Sequence, residues 1–375
     1  MTVPQQRPVT RKQIQASNAH IDPAEPNCPR TAVFVGGTAG LGEAALHDLA
    51  LRLGAAREHN RDVRRPARIY VVGRHASAAR VKESLAKIKA RIRAGNPDDD
   101  GGVELIWTPG EVSLLAEVKR ICAELKEKET SLDLLFLSTG YAPFGGREET
   151  KEGLDTAHVL GYYAKILFVQ HLLPLLRNAP AARVVAILAA GRESASFGFD
   201  VNDLNLENLD KPTNRWWFLP FGARCQVHNV TMFTMAMEQI ADDEANTGIT
   251  FIHASPGLVN TGNLNRGWQG RWFLQILANI VLAPVFLLAG FSLQESRERM
   301  MYLMTSAKYG GRGVPLSTTP GVVPGVTTRS QETGGLFLVH QLCGSLTDDR
   351  VLVELRKHAK EKIWEKTEEV LRPYV

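Results

Sequence analysis

Cysteine is scarce: Cys28, Cys122, Cys225 and Cys343 are the four in 375 residues. They lie far apart, with none of the paired spacings that hold a metal or build a disulfide framework, so reduced thiols in a cytoplasmic protein are expected and no metal site is. An excess of one charge is also missing. Lys and Arg total 44 against 40 Asp and Glu, a formal net charge of +4, and no basic run interleaves with aromatics, which argues against nucleic acid as a partner. The Lys and Arg residues between Arg80 and Arg93 read as a solvated helix face. No apolar run follows Met1, so no secretory signal is expected, and no internal repeat is visible. What is left is an ordinary soluble balance, 44% hydrophobic and 22% charged, in a chain long enough for one large α/β domain or two smaller ones.

The strongest local pattern is Thr31-Ala-Val-Phe-Val35 followed by Gly36-Gly-Thr38-Ala39-Gly40-Leu41-Gly42. The apolar, β-branched run has the character of a buried strand in a parallel sheet. The glycines suit a tight turn, close approach of backbone to a pyrophosphate, and close packing of helix on strand. The helix that follows turns free N–H groups and its positive dipole end toward an anion. Further strands are predicted at 67–73, 103–107, 132–138, 183–188 and 250–254, with helices near 41–53, 77–93, 112–126, 151–176 and 222–243. This alternation predicts a doubly wound Rossmann fold: a central, mostly parallel sheet flanked by helices on both faces.

The chain divides on this reading into three parts. Residues 1–30 are polar, with prolines at 4, 8, 23, 26 and 29, and are expected to form an extended arm. Residues 31–345 form the Rossmann domain. Residues 346–375 supply an amphipathic helix, about 349–371, packed on the same domain, after a helix at 293–305 and a short strand at 335–339. Within the domain, 272–291 is strongly apolar, broken only by Gln275, Asn279, Pro284 and Gly290. Its length approaches a membrane span, but a proline and two amides argue against one. A flap or lid over a cleft, within 267–292, is the first reading; peripheral contact with a membrane surface is the second.

Taken together, residues 31–345 resemble the short-chain dehydrogenase/reductase family. The family's Thr-Gly-x3-Gly-x-Gly appears as Val35-Gly36-x3-Gly40-x-Gly42, with only the leading threonine changed. Its acidic residue after the third strand corresponds to Glu111. Its Asn-Ala-Gly after the fourth strand corresponds to the altered Ser138-Thr139-Gly140. Its Pro-Gly-x-Val-x-Thr is intact as Pro256-Gly257-Leu-Val259-Asn-Thr261. A narrower likeness, to fungal members of uncertain reaction, some similar to proteins of secondary-metabolite pathways, rests on Glu152-Gly-Leu-Asp155 and Leu172-Leu-Pro-Leu-Leu176. The resemblance implies a cofactor site built from Gly36, Thr38, Ala39, Gly40, Leu41, Gly42, Arg74, Glu111, Ser138, Gly140, Pro256, Gly257, Val259 and Thr261. In dinucleotide folds an acid after the second strand binds the ribose hydroxyls of NAD, whereas an arginine there accommodates the 2′-phosphate of NADP. Here that strand ends Gly73-Arg74-His75, beyond an insertion at 54–66, so NADP (as NADPH) is expected over NAD.

The family's chemistry uses a tyrosine as proton donor, a lysine four residues later, a serine on the substrate oxygen and an asparagine on the preceding long helix. No Tyr-x3-Lys occurs in this chain. By alignment on the flanking helices the positions fall near Ala223 and Val227, at Ala189 and near Gly161; a register shift of a residue or two would put Arg224 and His228 in the first two places, but no shift restores a phenol. Candidate substitutes are Tyr163, which follows the asparagine position, and Cys225 with His228, which share a helix face at i and i+3. Trp216-Trp217-Phe218 is a candidate apolar wall for a substrate. Two functions follow. One is an NADP-dependent oxidoreductase with a non-standard proton donor, acting on a hydrophobic small molecule such as a polyketide or terpenoid in secondary metabolism. The other is a family descendant without redox activity: an isomerase, lyase or cyclase, or a non-catalytic NADP-binding protein. By family analogy a homodimer would pair through the helices at 151–176 and 222–243.

Overall fold

The computed structural model describes residues 7–21, 28–59, 66–93, 102–259 (without 142, 145, 209, 210, 212 and 213), 276, 290–314, 321–347 and 350–375. Helix α1 (Arg11–Ala19) precedes β1 (Thr31–Val35), α2 (Gly40–His59), β2 (Ala67–Gly73), α3 (Ala78–Arg93), β3 (Val103–Pro109) and α4 (Leu115–Lys128). Then come β4 (Leu134–Leu137), α5 (Thr156–Arg177), β5 (Arg183–Ile187), α6 (Phe221–Ala241) and β6 (Thr250–Ala254). The chain closes with α7 (Leu293–Thr305), β7 (Gly335–Val339), β8 (Ser345–Leu346), α8 (Arg350–His358) and α9 (Lys360–Leu371).

One sheet runs β3-β2-β1-β4-β5-β6-β7-β8, with β1 to β7 parallel and β8 antiparallel to β7. This is the expected doubly wound architecture. Strands β1, β4, β5, β6 and β7 are buried along their whole length, as parallel strands covered on both faces must be. Alternation sends Val33, Val35, Leu135, Leu137 and Phe251 toward α4, α5 and α6. Ala32, Phe34, Leu134, Phe136 and Ile252 pack on the opposite face under α2, α3 and α7. The strand order reverses between β1 and β4, the switch point at which such sheets open a crevice beyond their carboxyl ends.

Several local features explain residues that stood out in the sequence. The Glu152 carboxylate accepts from the Leu115 and Ala116 N–H groups at 2.7 and 3.0 Å, capping α4, and Asp155 caps α5 through the His158 N–H at 2.8 Å; both satisfy orphan helix-end donors. Helix α5 is long and apolar enough to cross a membrane, but 72% of its apolar window is buried against the sheet, which makes it a core helix.

Two expectations are corrected. Residues 11–19 are helical rather than extended: Thr10 and Gln13 form a capping box, and Ile14, Ser17 and Asn18 are buried. Arg11 pairs with Glu298 at 2.7 Å, and the Asn18 amide donates to the Glu298 carbonyl at 2.8 Å. The polar composition that suggested an arm therefore serves contacts with α7. The single terminal helix is two, broken at Ala359, whose φ is −130°. On the helices expected to pair, α5 and α6, the chain also lays one of its own elements. Helix α9 lies across both, with Ile363 and Leu371 in their core, Tyr162 Oη 2.5 Å from Thr367 Oγ1, and His171 Nε2 2.9 Å from the Tyr374 carbonyl. Every residue from His228 to Ala241 except Gln239 is buried within this one chain. The face expected to meet a second copy is occupied by the chain's own terminus. Light scattering during gel filtration is expected to give the one-chain mass of 41.3 kDa; a dimer that persists on dilution would show that another surface pairs. The apolar stretch at 272–291 lies outside the described residues, save for 276, 290 and 291.

Candidate active site

The glycine turn joins β1 to α2 at the switch point. Gly36 has φ +93° and Gly40 φ +62°, conformations that disfavour side chains. Gly42 is required for another reason. A Cβ there would stand 2.5 Å from the Gly36 carbonyl oxygen and 2.4 Å from Ser138 Oγ, so the first turn of α2 can lie against the turn only without a side chain. Ser138 belongs to the same unit, its N–H donating to the Val35 carbonyl at 2.9 Å. Thr139 Oγ1 donates to Leu160 O at 3.0 Å, tying the end of β4 to α5.

The neighbouring strand ends complete a cradle. Thr38 packs directly over Gly73, where an added Cβ would meet its methyl at 2.3 Å. This sets exposed Arg74 beside the turn. Gly110 N–H donates to Gly73 O at 2.9 Å, which brings Glu111 alongside, its carboxylate accepting from Ser113 Oγ at 3.0 Å. Beyond β6, Ser255 N–H bonds Val339 O at 2.9 Å, and Pro256, Gly257 and Val259 follow. Gly257 lies against Phe291 and Gln341. Thr261 lies outside the described residues. The rest of the expected cofactor set thus gathers at one carboxyl edge of the sheet, and the close packing that Gly36 and Gly42 permit draws the turn against the start of α2, where the free N–H groups of a helix end suit an anion.

The proposed catalytic substitutes do not gather in the same way. His228 Nε2 accepts from the Asp200 N–H at 3.1 Å, and Nδ1 lies 2.9 Å from Arg224 O. Both ring nitrogens are therefore engaged by backbone, and burial lowers the imidazole pKa. Cys225 Sγ accepts from Asn229 Nδ2 at 3.5 Å, while burial pushes the thiol well above its usual range. The shared helix face is real, but no thiol–imidazole pair forms on it. Tyr163 Oη donates to Asn205 Oδ1 at 2.7 Å in a fully buried setting, and burial raises the phenol pKa well above the ordinary value. These three are packed structural groups.

Other side chains occupy the vacated space. Val159–Tyr163 of α5 forms a π turn, a feature frequent at functional sites. A Cβ at Gly161 would strike Asn229 Nδ2 at 2.4 Å: an amide from α6 fills the place where α5 was expected to supply one. Asn229 Oδ1 lies 2.5 Å from His158 Nδ1, and burial lowers the His158 pKa to about 4. Tyr141, just beyond β4, packs on Ala157, Phe221 and Cys225. Trp217 and Phe218 are each 60% exposed and Phe197 57%, forming an apolar lip with Trp216, whose ring centroid is 4.8 Å from that of Phe197. Sequence spacing missed Asn229, because its relation to Gly161 exists only across two helices. A cavity of about 380 Å³ lined by Gln170, Leu173, Ile240 and Trp364 lies at the opposite, amino edge of the sheet and takes no part in this site.

No protein-family model matches the chain. The NmrA-like family domain-containing oxidoreductase notO of Aspergillus sp. (strain MF297-2) is 33% identical, over 90% of this chain and 88% of that protein. The oxidoreductase andH of Emericella variicolor is 36% identical over 74% of this chain and 70% of its own length. The short-chain dehydrogenase/reductase SAT2 of Stachybotrys chartarum is 26% identical over 90% of each. Among solved structures, levodione reductase superposes with a TM-score of 0.50 at 17% identity, over 78% of this chain and 98% of that one, a likeness of fold.

Proposed function

Because the chain belongs to the short-chain dehydrogenase/reductase family and is one of its oxidoreductases, we propose that it works with NADP on a hydrophobic small molecule of secondary metabolism. The observation that carries this reading is a glycine turn, Gly36 to Gly42, packed closely against the start of α2, beside Arg74 in place of an acid. Gly36, Thr38, Ala39, Gly40, Leu41 and Gly42 would take the pyrophosphate, with Ser138 and Gly140 at the adjacent strand end. Arg74 would meet the 2′-phosphate through paired guanidinium hydrogen bonds, and Glu111 the adenine side. Pro256, Gly257, Val259 and Thr261 would flank the nicotinamide end. The bound nicotinamide supplies or accepts a hydride. The exposed lip of Phe197, Trp217 and Phe218 supports an apolar substrate, since such rings at a cleft mouth favour burial against one.

The test is quenching of tryptophan fluorescence on titration. NADPH is expected to bind more tightly than NADH by about tenfold or more, roughly 1.4 kcal/mol, and Arg74→Glu to remove that preference. Equal affinities in the natural chain would sink the NADP assignment. A second reading, a family member without redox turnover, is favoured by one observation: no Tyr-x3-Lys occurs anywhere in the chain. Tight NADPH binding without oxidation of NADPH across a panel of apolar ketones, enones and quinones would select it.

A further inference from the structure

The vacated catalytic positions face a cleft whose walls offer no ready proton. Ala223 is exposed in the first turn of α6, and Val227 and Ala189 are half-buried. A shift of register would bring Arg224 and His228 to the first two places. Arg224 is buried, however, and both His228 ring nitrogens are engaged by backbone. Tyr141 is a half-buried phenol that packs on Cys225 of the same helix. Burial, with the negative charges of Glu148 and Asp155, raises its pKa above the ordinary phenol value, which makes it a poor acid. Lys165 is fully buried and donates to Ile187 O at 3.0 Å. His253 is fully buried as well, its Nδ1 2.9 Å from Thr234 Oγ1. The Glu193 carboxylate is 5% exposed and accepts through both oxygens, from Thr234 Oγ1 at 2.7 Å and the Gly191 N–H at 2.8 Å. Among the described residues, each of these groups is thus committed to a protein partner or held well above neutrality.

What the same edge does offer suits positive charge. Trp216, Trp217 and Phe218 run directly into the start of α6, just ahead of Ala223. The Trp216 and Phe218 ring centroids are 6.0 Å apart, and the Arg215 guanidinium carbon stands 4.9 Å from the Trp216 centroid. A planar, delocalised cation therefore already rests on this lip, because the faces of such rings attract positive charge. The Pro143 carbonyl oxygen lies 2.8 Å from where a Gly222 Cβ would stand, which seats the loop after β4 against the start of α6, beside the lip. The loops after β4 and β5, residues 138–155 and 188–220, together hold nine Asp and Glu against five Lys and Arg. The whole chain carries +4, so negative charge is concentrated on the substrate side of an otherwise basic molecule. A cleft walled by one sign of charge draws the opposite sign in.

We propose that the substrate is a cationic C=N compound, an N-substituted iminium set in an apolar framework, which this chain reduces to a tertiary amine. The proposal rests on the redox reading of the same edge. Hydride addition to a ketone leaves charge on oxygen, which an acid or fixed donors must meet as it forms, and the family's groups for that task are gone. An iminium carbon needs no such help, because the positive nitrogen already supplies the activation. That carbon receives hydride from reduced nicotinamide, and the C=N π pair moves to nitrogen. One C–H bond forms, the nicotinamide is oxidised and takes over the positive charge, and no proton moves. A lysine in the family's place would repel this substrate; Val227, near that place, does not. Such an enzyme would leave neutral ketones almost untouched, as a family member without turnover would, and an iminium probe separates the two.

The test has two arms. In the first, NADPH is offered with 2-methyl-1-phenyl-3,4-dihydroisoquinolinium, a cation with no proton to lose, or with benzophenone, its neutral carbonyl counterpart. The iminium is expected to be reduced with saturation kinetics and one amine enantiomer in excess, with kcat/KM above that of benzophenone by roughly a hundredfold or more. Racemic amine formed at the rate of free NADPH would place the reaction in solution and overturn the proposal. Equal turnover of benzophenone would overturn the iminium class and leave the redox reading standing. NADPH that binds but is oxidised by neither probe would remove both. The second arm needs no turnover. Calorimetric titration of the NADPH complex with the inert 2,2-dimethyl-1-phenyl-tetrahydroisoquinolinium should give affinity about tenfold above that of neutral 1-phenyltetralin. Ala223→Lys, at an exposed position, should remove that advantage by repulsion while sparing the neutral ligand. Trp217→Leu, which keeps apolar area but loses the ring face, should weaken the cation selectively and decides the arm if Ala223→Lys fails to fold. Cation and neutral ligand that bind alike, or that respond alike to these variants, overturn the proposal.

Discussion

Gly42→Val is expected to abolish measurable NADPH binding, a loss of about a hundredfold or more in affinity, roughly 2.7 kcal/mol or greater, without unfolding the chain. The position lies in the first turn of α2, where valine costs less than glycine in helix propensity by a few tenths of a kcal/mol. Propensity alone therefore predicts a slightly stabler protein. Sterics run the other way and dominate. The Cβ would meet the Gly36 carbonyl oxygen at 2.5 Å and Ser138 Oγ at 2.4 Å. Ser138 can rotate away, but the Gly36 carbonyl is backbone in a turn already held at positive φ. The turn must shift, and with it the N–H groups at the start of α2 that a pyrophosphate would meet. Fluorescence quenching by NADPH reads the loss, and far-UV circular dichroism with a thermal melt reads the fold. An affinity within threefold of the natural chain would show that the cofactor does not lie against this turn.

The same turn illustrates what sequence can carry. Thr31 to Gly42 was legible because strand, turn and helix start are all encoded within twelve consecutive residues, and the sheet order then follows from alternation and the switch point. Features that depend on distant partners were not legible. Arg11, Gln15 and Asn18 look like an arm until Glu298, far along the chain, accepts hydrogen bonds from all three. Cys225 and His228 do share a face, but Asp200 and Arg224 had already engaged the imidazole. Gly161 and Asn229 compensate each other across α5 and α6, and neither residue alone signals it. Lys165 did leave a trace: it is the one Lys or Arg between His158 and Leu176, in a run otherwise suited to burial. His253, the fourth of five residues in a fully buried strand, is a trace of the same kind. A charged or titratable residue where the pattern demands an apolar one is the signal of a buried polar contact such as Lys165 to Ile187 O or His253 to Thr234.

The terminal helices give the second large effect. Glu238 on α6 has no solvent exposure, and it accepts from Arg356 at 2.8 and 2.9 Å and from Thr328 Oγ1 at 2.6 Å. Arg329 and Lys360 stand at 3.4 and 3.7 Å, and Lys360 also reaches Asp242 at 3.0 Å. Glu238→Ala would leave the Arg356 guanidinium, itself largely buried, facing a cavity with its anion gone. Removing one partner of such a network costs about 3–5 kcal/mol, which should appear as a marked fall in Tm. The effect has a pH signature. Burial on its own pushes the Glu238 carboxyl up, but the hydrogen bonds from Arg356 and Thr328 and the charges of Arg356 and Arg329 together outweigh it and hold the group below its ordinary value of 4.5. A carboxylate whose folded pKa is depressed contributes stability above the unfolded value and loses it as pH falls through the folded one. The Tm gap between the natural chain and Glu238→Ala should therefore be widest near neutral pH and narrow below 4.5. A gap that stays constant on acidification would assign the loss to packing alone. Because α8 and α9 cover the faces of α5 and α6, the same variant should also expose apolar surface and form concentration-dependent dimers in light scattering. A destabilised variant that remains strictly monomeric would show that these helices stay docked without Glu238.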